Sequence, residues 1–368
     1  MPNKATSTGT GTGKGTGTRT RTRDWGRYDS AKIRRKQLFI AVLLSALDLA
    51  DLPTHYKGRG RPPVSLRTII ICLAYKTYYK TSYRDTIAEI EHQKDRLGIP
   101  SVPCYNTLRK YMNSKITATA VSALLRATIL PLCSLEKVFG SDSTGFRTNT
   151  RSEYYTVSIR TRGRRVVEER QGQGQGQGQG GKGKRSLLEK RERREFVKLH
   201  LAVGTVSQMV CAATTTIGRR HDSTQLPGLV VEVARIFSVH EWLGDAAYAS
   251  RKACNLIAGL GGRAYIWPRT SLTRKSKGSS EWRRMLELFE LDREEFSRHY
   301  HQRSKVESVF SVIKRYFGDY VLSRSLDAQL NELLFKVLDY NLCRLGYLVV
   351  TSTLATDSLA QPALAASG

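Results

Sequence analysis

The chain has 368 residues, which is enough for two domains with hydrophobic cores of their own. Its 60 Lys and Arg residues against 32 Asp and Glu give a formal net charge of +28, which predicts a polyanionic partner, with nucleic acid as the first candidate. No membrane partner is expected, because the most apolar early stretch, Leu38 to Leu52, is interrupted by Asp48 and Asp51 and is too short to span a bilayer.

The beginning of the chain predicts neither secretion nor a folded segment. Residues 1–23 alternate Thr with Gly and then Arg with Thr, and they lack the apolar centre of a secretory signal. Such a segment buries too little apolar surface to offset the entropy of ordering it, so we expect a disordered basic tail. With the net charge, this predicts a cytoplasmic, nucleoid-associated protein.

Residues 24–135 are expected to form an α-helical DNA-binding domain. Apolar residues recur at helical spacing in three stretches of this region. These stretches are Lys36 to Leu52, Leu66 to Tyr79 and Ala120 to Leu130.

A helix-turn-helix-like segment is predicted at residues 82–113. Ser82 is a hydroxyl cap for a first helix, and a second short helix follows from Tyr105 to Met112. The second helix carries Arg109 and Lys110, as a reader of the DNA major groove requires. Helix pairs of this kind also occur in proteins that bind no DNA, and here the net charge favours DNA.

Strands appear in residues 136–350, which contain a Gln/Gly insert at 168–190 that is expected to be disordered. A C-terminal tail is expected at 351–368. The order of predicted strands and helices is that of a ribonuclease H-like α/β catalytic domain. The predicted strands are Glu136 to Asp142, Tyr154 to Ile159, Glu195 to Thr205, Met209 to Thr216, Val239 to Gly244 and Arg263 to Trp267; helices are predicted from His221 to Ile236 and from Ser250 to Leu260.

Two carboxylates follow predicted strands. Asp142 lies where an apolar strand gives way to a turn, and Asp245 lies at the end of a later strand. Carboxylates at strand ends of an open sheet face a common crevice. A lone Asp after a strand is usually a helix cap or a turn former, and that is the favoured interpretation of either residue taken alone.

A third carboxylate lies in a predicted helix near the end of the chain. At about 100° per residue, Tyr300, Arg303, Glu307 and Lys314 share one face of that helix. Val306, Val309, Phe310, Ile313 and Phe317 form the adjacent packing face. The alternative is an ordinary solvated face with an i,i+4 salt bridge between Arg303 and Glu307.

These residues carry a resemblance to a known family. The sequence resembles the insertion-sequence DDE transposases, whose third acidic residue lies in a Tyr-x2-Arg-x3-Glu-x6-Lys signature, and all four signature positions match without a change in spacing. The resemblance covers residues 82 to 345. It extends to Asp-Ser-Thr-Gly at Asp142, Lys-Leu-His at Lys198 to His200, His-Asp-Ser at His221 and Gly-Asp-Ala-Ala-Tyr-Ala-Ser around Asp245.

The resemblance implies a metal site and a phosphate site. Asp142, Asp245 and Glu307 would bind two Mg²⁺ or Mn²⁺ ions. Arg303 and Lys314 would hold phosphates near the scissile bond. Hard carboxylate oxygens suit these cations, and paired ions activate water or a 3'-hydroxyl for in-line attack on phosphorus.

Five further residues are weaker candidates. Tyr300 either orients the DNA backbone or packs at the helix start, and Trp267 either stacks on a displaced base or packs at a strand end. Asp222 is interpreted as a helix N-cap, with a place among the acidic ligands as the alternative. Lys198 and His200 share one side of a strand and either line the site or are ordinary strand residues.

The leading functional hypothesis is a transposase that binds the terminal inverted repeats of its element and transfers 3'-hydroxyl ends into target DNA. Its expected partner is double-stranded DNA, it acts on no small-molecule substrate, and handling two DNA ends implies a homodimer. A metal-dependent nuclease without strand transfer and a domesticated, non-catalytic DNA-binding protein are the alternatives. Three retained carboxylates speak against the second alternative.

Overall fold

The computed structural model describes residues 25–50, 52, 63–148, 196–218, 220–269 and 278–351. Several predicted segments lie outside these described residues. They are the basic tail 1–23, the strand from Tyr154 to Ile159, the Gln/Gly insert 168–190 and, apart from residue 351, the C-terminal tail.

The first described part of the chain is helical, as predicted. Ser65 and Ser82 cap two of its helices, since their side-chain oxygens accept hydrogen bonds from the backbone N–H groups of Thr68 and Asp85, each at 3.2 Å. The helices are α1 (Trp25–Ile33), α2 (Arg35–Leu49), α3 (Leu66–Tyr79), α4 (Tyr83–Gln93), α5 (Tyr105–Met112) and α6 (Lys115–Ile129). Bounds of α3 and α5 equal those predicted, whereas α6 begins five residues earlier.

A five-stranded sheet follows, in the order β3-β2-β1-β4-β5. The first three strands are antiparallel neighbours, and β1, β4 and β5 are parallel. The strands are β1 (Val138–Arg147), β2 (Phe196–Gly204), β3 (Val210–Ile217), β4 (Glu241–Gly244) and β5 (Arg263–Ile266). This mixed sheet is consistent with the predicted ribonuclease H-like α/β fold.

Among the described residues, six further helices pack around the sheet. Two of them, α7 (Leu226–Ala234) and α8 (Arg251–Gly259), connect β3 to β4 and β4 to β5, as the sequence predicted. The other four are α9 (Ser280–Leu291), α10 (Arg293–Tyr300), α11 (Ser304–Phe317) and α12 (Leu326–Val350). Helix α11 packs on β1 and β2 through the apolar face that its sequence pattern predicted, and all five residues of that face are buried.

The long helix α12 joins the helical part of the chain to the sheet. It contacts α2, α3 and α6 as well as β3. Asn341 exchanges two hydrogen bonds with the backbone of Val210 in β3, and Asn331 donates to the carbonyls of Met112 and Ser114. Buried apolar residues from both sides of residue 135 therefore form one continuous core. The division into domains at that point stays a prediction.

One described helical segment, Lys115–Leu132, is long and apolar enough by length and composition to cross a membrane. Half of that segment is buried inside the protein, where α6 contacts α12 and β3. A core helix passes the same test, so the expected absence of a membrane partner stays a prediction.

A buried carboxyl group in α12 predicts how stability depends on pH. Asp339 is fully buried, and within the described part of the chain neither of its carboxylate oxygens has a hydrogen-bond partner. Burial raises the pKa of Asp339 well above its usual value, against the opposing charge of Lys336. The folded state therefore holds a proton that the unfolded chain releases above a pH of about 3.9.

Stability is thus lost as the pH rises between the unfolded and the folded pKa of Asp339, at about 1.4 kcal/mol per pH unit. We expect Asp339→Asn, which does not ionise, to be more stable than the parent at pH 8, with a difference that shrinks toward pH 4. Urea unfolding of both proteins at several pH values measures this difference. A gap that does not change with pH would contradict the assignment.

Candidate active site

Two aspartates emerge at one edge of the sheet because β1 and β4 are parallel neighbours. Their pairing ends at Ser141 and Gly244, so Asp142 and Asp245 are the next residues on adjacent strands. Glu307 lies in the first turn of α11, the helix that packs across β1 and β2. Three distant parts of the sequence are thereby brought to one side of the sheet.

The strand that carries Asp142 corrects one prediction. β1 does not end at Asp142 but continues to Arg147, because its antiparallel pairing with β2 continues through the Arg147–Phe196 pair. Asp142 therefore lies inside a strand, at the level where the parallel neighbour β4 stops. Asp245 does follow its strand, as predicted, and its Oδ1 caps the next turn by accepting from the Ala247 N–H at 3.0 Å.

The helix that carries Glu307 differs from its prediction as well. Tyr300 ends α10, a 3-10 turn spans His301–Arg303, and α11 begins only at Ser304. The four signature residues thus do not lie on one continuous helix. Arg303 and Glu307 do form the i,i+4 ion pair that the alternative interpretation expected, with 2.5 Å between Nη2 and Oε1.

Gly140 allows α11 to approach β1 closely. A methyl group at this position would lie 2.6 Å from Cγ2 of Val306 and 3.9 Å from the Cα of Arg303. The first of these contacts is too short to be tolerated, so any larger residue would push the start of α11 away from the strand. Gly140 thereby determines how near Arg303 and Glu307 lie to Asp142.

Arg303 bridges two of the three carboxylates. Its Nη1 lies 3.2 Å from Oδ2 of Asp142, while Nη2 binds Glu307. The guanidinium group also lies 5.7 Å from the ring centroid of Tyr300. Because Asp142 is only 18% exposed, the positive charge of Arg303 compensates a carboxylate that has lost most of its water.

The ionisation of Asp142 reflects this crowding. The pKa of Asp142 is raised to about 6, chiefly by burial; the charges of Asp245 and Glu307 also raise it, while the Ser143 amide and Arg303 lower it. A carboxyl group with such a pKa is one that gains from a nearby cation. Glu307 is 55% exposed, so its side chain has room to move.

Within the described ranges, no three His, Cys, Asp or Glu side chains already form a cluster that could hold a metal ion. The donor chemistry of Asp142, Asp245 and Glu307 nevertheless fits a hard divalent cation, because all three supply carboxylate oxygens. The Arg303 guanidinium supplies positive charge between two of them. The side chains of these residues are therefore suitable ligands for the divalent metal ion that the resemblance implies, although they do not already form a ligand cage.

Lys314 lies on the same side of β1. It donates from Nζ to Oγ1 of Thr144 at 2.6 Å, two residues beyond Asp142 on the same face of the strand. Burial lowers the pKa of Lys314, with the charge of Asp319 opposing. A half-buried cation is thus held next to the acidic residues by a neutral partner.

A fourth carboxylate, Asp222, lies beside this group, and its interpretation as an N-cap is wrong. No side-chain cap bond is present at the short 3-10 helix Asp222–Thr224, or at α7 after it. Instead, Asp222 accepts from Lys198 Nζ at 2.5 Å and from Ser143 Oγ at 2.9 Å. Asp222 is thus bonded directly to Ser143, the residue next to Asp142.

His200 lies behind this network. Its Nε2 is 2.9 Å from Thr216 Oγ1, and its Nδ1 is 3.7 Å from Asp222. Burial lowers the pKa of His200 to about 4, so the ring is neutral at pH 7. Lys198 therefore supplies the positive charge for Asp222, and both strand residues point to the site side of β2.

Sequence reasoning assigned no role to two residues here, Ser143 and Tyr248. Tyr248 is fully buried, and burial, together with the charges of Asp222, Asp142 and Asp245, raises the pKa of its hydroxyl. The signal was present in the sequence, since Tyr248 follows Asp245 by three residues and Ser143 follows Asp142 directly.

Trp267 and Tyr300 belong to one aromatic cluster. The ring centroid of Trp267 lies 5.0 Å from Phe289 and 5.0 Å from Tyr300, and the Arg293 guanidinium lies 5.3 Å from it. Both residues thus pack, which is one of the two interpretations that the sequence allows for each. The cluster still connects the end of β5 to Arg303 through Tyr300.

Arg109 and Lys110 are not part of this group of residues. Both are exposed on α5, and Arg109 lines a groove between the helical part and the loop before α12. The predicted site residues thus lie in two places. The three carboxylates lie with Arg303, Lys314 and the two aromatic residues, whereas the basic residues of α5 lie elsewhere.

Comparison with known proteins gives one match. A family model described as "Transposase DDE domain" matches residues 136–342, a range that contains all five described strands and the three carboxylates. No curated protein matches the chain significantly. No solved structure does so either.

Proposed function

Since the chain belongs to the transposase DDE domain family, we propose that it is an insertion-sequence transposase that binds the terminal inverted repeats of its element. It hydrolyses a phosphodiester at each end and then joins the released 3'-hydroxyl to target DNA. The observation that carries the proposal is the convergence of Asp142, Asp245 and Glu307 from β1, β4 and α11 on one side of the sheet.

Asp142, Asp245 and Glu307 are the proposed ligands of Mg²⁺ or Mn²⁺. Two such ions, when bound, would activate the attacking oxygen and stabilise the leaving 3'-oxygen. Capping of the Ala246–Tyr248 turn uses only one lone pair of Asp245, so its carboxylate keeps acceptor capacity.

Arg303 and Lys314 are the proposed phosphate-binding residues. Both are half-buried cations held next to Asp142, through the carboxylate itself and through Thr144. Positive charge at these positions suits the charge that develops on phosphoryl oxygens during displacement. Tyr300 positions Arg303 by stacking beneath its guanidinium, and it orients the DNA backbone there.

The helical part of the chain, including α4 and α5, is proposed to bind the DNA ends through Arg109 and Lys110. Trp267 is proposed to stack on a base next to the scissile bond, which requires its aromatic neighbours to give way. We propose a homodimer, because two element ends are joined in one reaction, and a cytoplasmic, nucleoid-associated location. DNA itself is the partner that the family implies.

The test uses the full chain, a labelled duplex carrying an element end, and a supercoiled target plasmid, with Mg²⁺, Mn²⁺ or EDTA. We expect metal-dependent nicking and slower-migrating joined products. Cleavage without joining would overturn strand transfer and identify a nuclease. Binding without cleavage in either metal would overturn catalysis and leave a DNA-binding protein.

A further inference from the structure

A groove with only positive charge lies between the helical part of the chain and the loop that precedes α12. Its volume is about 930 Å³, and no Asp or Glu is among the described residues that line it. We call it the basic groove, and its cations are Lys76, Lys80, Arg84, Arg109 and Arg324. Like charges this close repel one another unless an anion lies between them.

The innermost of these cations is buried without an anionic partner in contact. Lys76 in α3 is only 4% exposed, and within the part of the chain that the structure describes it makes no hydrogen bond or ion pair. The ring of Tyr83, with its centroid 4.8 Å from Nζ, is its closest compensation. A lysine buried in this way is costly unless an anion reaches it from the open side.

Glu332 is a carboxylate whose charge acts on Lys76 at the floor of the basic groove, but its oxygens are bonded elsewhere. Its two oxygens accept from the backbone N–H groups of Leu322 at 2.9 Å and Ser323 at 2.8 Å. These bonds hold the loop that forms one wall. The charge of Glu332 opposes the effect of burial on the pKa of Lys76, yet Glu332 does not line the groove.

Helix α5 forms the opposite wall. Tyr105 and Arg109 are four residues apart and so share one helix face, and the Arg84 guanidinium lies 4.5 Å from the ring centroid of Tyr105. Ser325 and Asn113 are joined by a hydrogen bond at the rim. The polar face of α5 therefore lines a concave surface, and the other lining residues come from α3, α4 and the loop before α12.

We propose that the basic groove binds backbone phosphates of DNA, with Lys76 as the buried anchor and Lys80, Arg84, Arg109 and Arg324 around it. The inference rests on the proposed function and deepens it, because it names the surface that holds the element's DNA. Contacts to phosphates fix the position and register of a duplex without reading its bases. Tyr105 adds an aromatic surface beside them.

The experiment measures the salt dependence of DNA affinity by fluorescence anisotropy, with a labelled duplex and the full chain. In the groove variant, Arg84, Arg109 and Arg324 are replaced by Gln. In the matched control, the exposed residues Lys115, Lys252 and Arg283 are replaced by Gln, so that both proteins lose three charges.

The slope of log K against log salt is negative, and each lost phosphate contact lowers its magnitude by about 0.9. We therefore expect the magnitude to fall by about 2.7 in the groove variant and by much less in the control. Equal losses in both variants would overturn the inference, because net charge alone would then account for them. An unchanged groove variant would overturn it as well.

Calorimetry with inorganic phosphate distinguishes a DNA groove from a site for free phosphate. If the groove variant keeps its DNA affinity but no longer binds inorganic phosphate, the site takes free phosphate and the inference fails. If the parent protein joins DNA ends and the groove variant binds DNA with the same affinity as the parent, only the inference fails. A parent that binds no DNA would instead contradict the proposed function.

Discussion

Replacing Asp142 by Asn is expected to reduce metal-dependent DNA cleavage by at least about a thousandfold, which corresponds to roughly 4 kcal/mol of lost transition-state stabilisation. The same is expected for Asp245→Asn and Glu307→Gln. Each change removes a negative charge and a carboxylate oxygen while keeping the size of the side chain. Gel assays of cleavage with Mg²⁺ and Mn²⁺ measure the loss.

The control for these variants is Asp327→Asn, the same chemical change at an exposed position at the start of α12. It should leave cleavage unchanged, and all four proteins should bind the labelled duplex as the parent does. Substantial cleavage by any of the three site variants would remove that residue from the proposed ligand set. Loss of binding together with cleavage would indicate a folding defect instead.

A single methyl group at Gly140 should also impair catalysis, although less than loss of a carboxylate. In Gly140→Ala the new carbon would lie 2.6 Å from Val306 Cγ2, so the start of α11 must move. Overpacking of this kind costs about 1–3 kcal/mol of unfolding free energy. A displacement of about 1 Å at the site costs roughly a hundredfold in rate, so we expect cleavage to fall by that factor while DNA affinity stays unchanged.

The double variant Gly140→Ala with Val306→Ala tests whether the clash is the cause. Removing Cγ2 of Val306 makes room for the new methyl group, so the double variant should recover cleavage relative to Gly140→Ala alone. Urea unfolding and cleavage rates for all four proteins complete the cycle. Independent, additive losses would show that the close approach of α11 to β1 does not matter.

Local signals in the sequence predicted much of the fold. Helices α3 and α5 have the predicted bounds, and the hydroxyl cap at Ser82 is confirmed by its bond to the Asp85 N–H. Alternation and apolar runs located β2, β3, β4 and β5 to within two residues at each end. For the helices, the deciding contacts lie within a few residues of one another. For the strands, the local pattern of apolar residues was sufficient to locate them, although β2 and β4 pair with β1, which is remote in sequence.

Interactions between distant residues explain what the sequence did not predict. β1 continues beyond Asp142 because β2, which is remote in sequence, pairs with it as far as Phe196. The break between α10 and α11 is a 3-10 turn of only three residues, which is too short to interrupt the apolar pattern of the sequence. Asp222 looked like a cap because its actual partners, Lys198 and Ser143, are remote in sequence.

The sequence predicted which residues make up the candidate site more completely than it predicted the contacts among them. The resemblance supplied the three carboxylates and their cations, but no sequence pattern indicated that Arg303 binds Asp142 and Glu307 together. No sequence pattern indicated that Lys314 donates a hydrogen bond to Thr144 either. These contacts depend on how closely α11 lies on β1, which only packing decides.

The position of α12 also affects how the protein is made. Helices α2, α3 and α6 leave the ribosome long before α12, yet they pack their apolar residues against it, as does β3. Such long-range contacts form late. The loop beside the basic groove is anchored to α12 as well, through Glu332. A nascent chain that has not yet released α12 therefore lacks both the helix that completes the core and the anchor of the loop beside the basic groove.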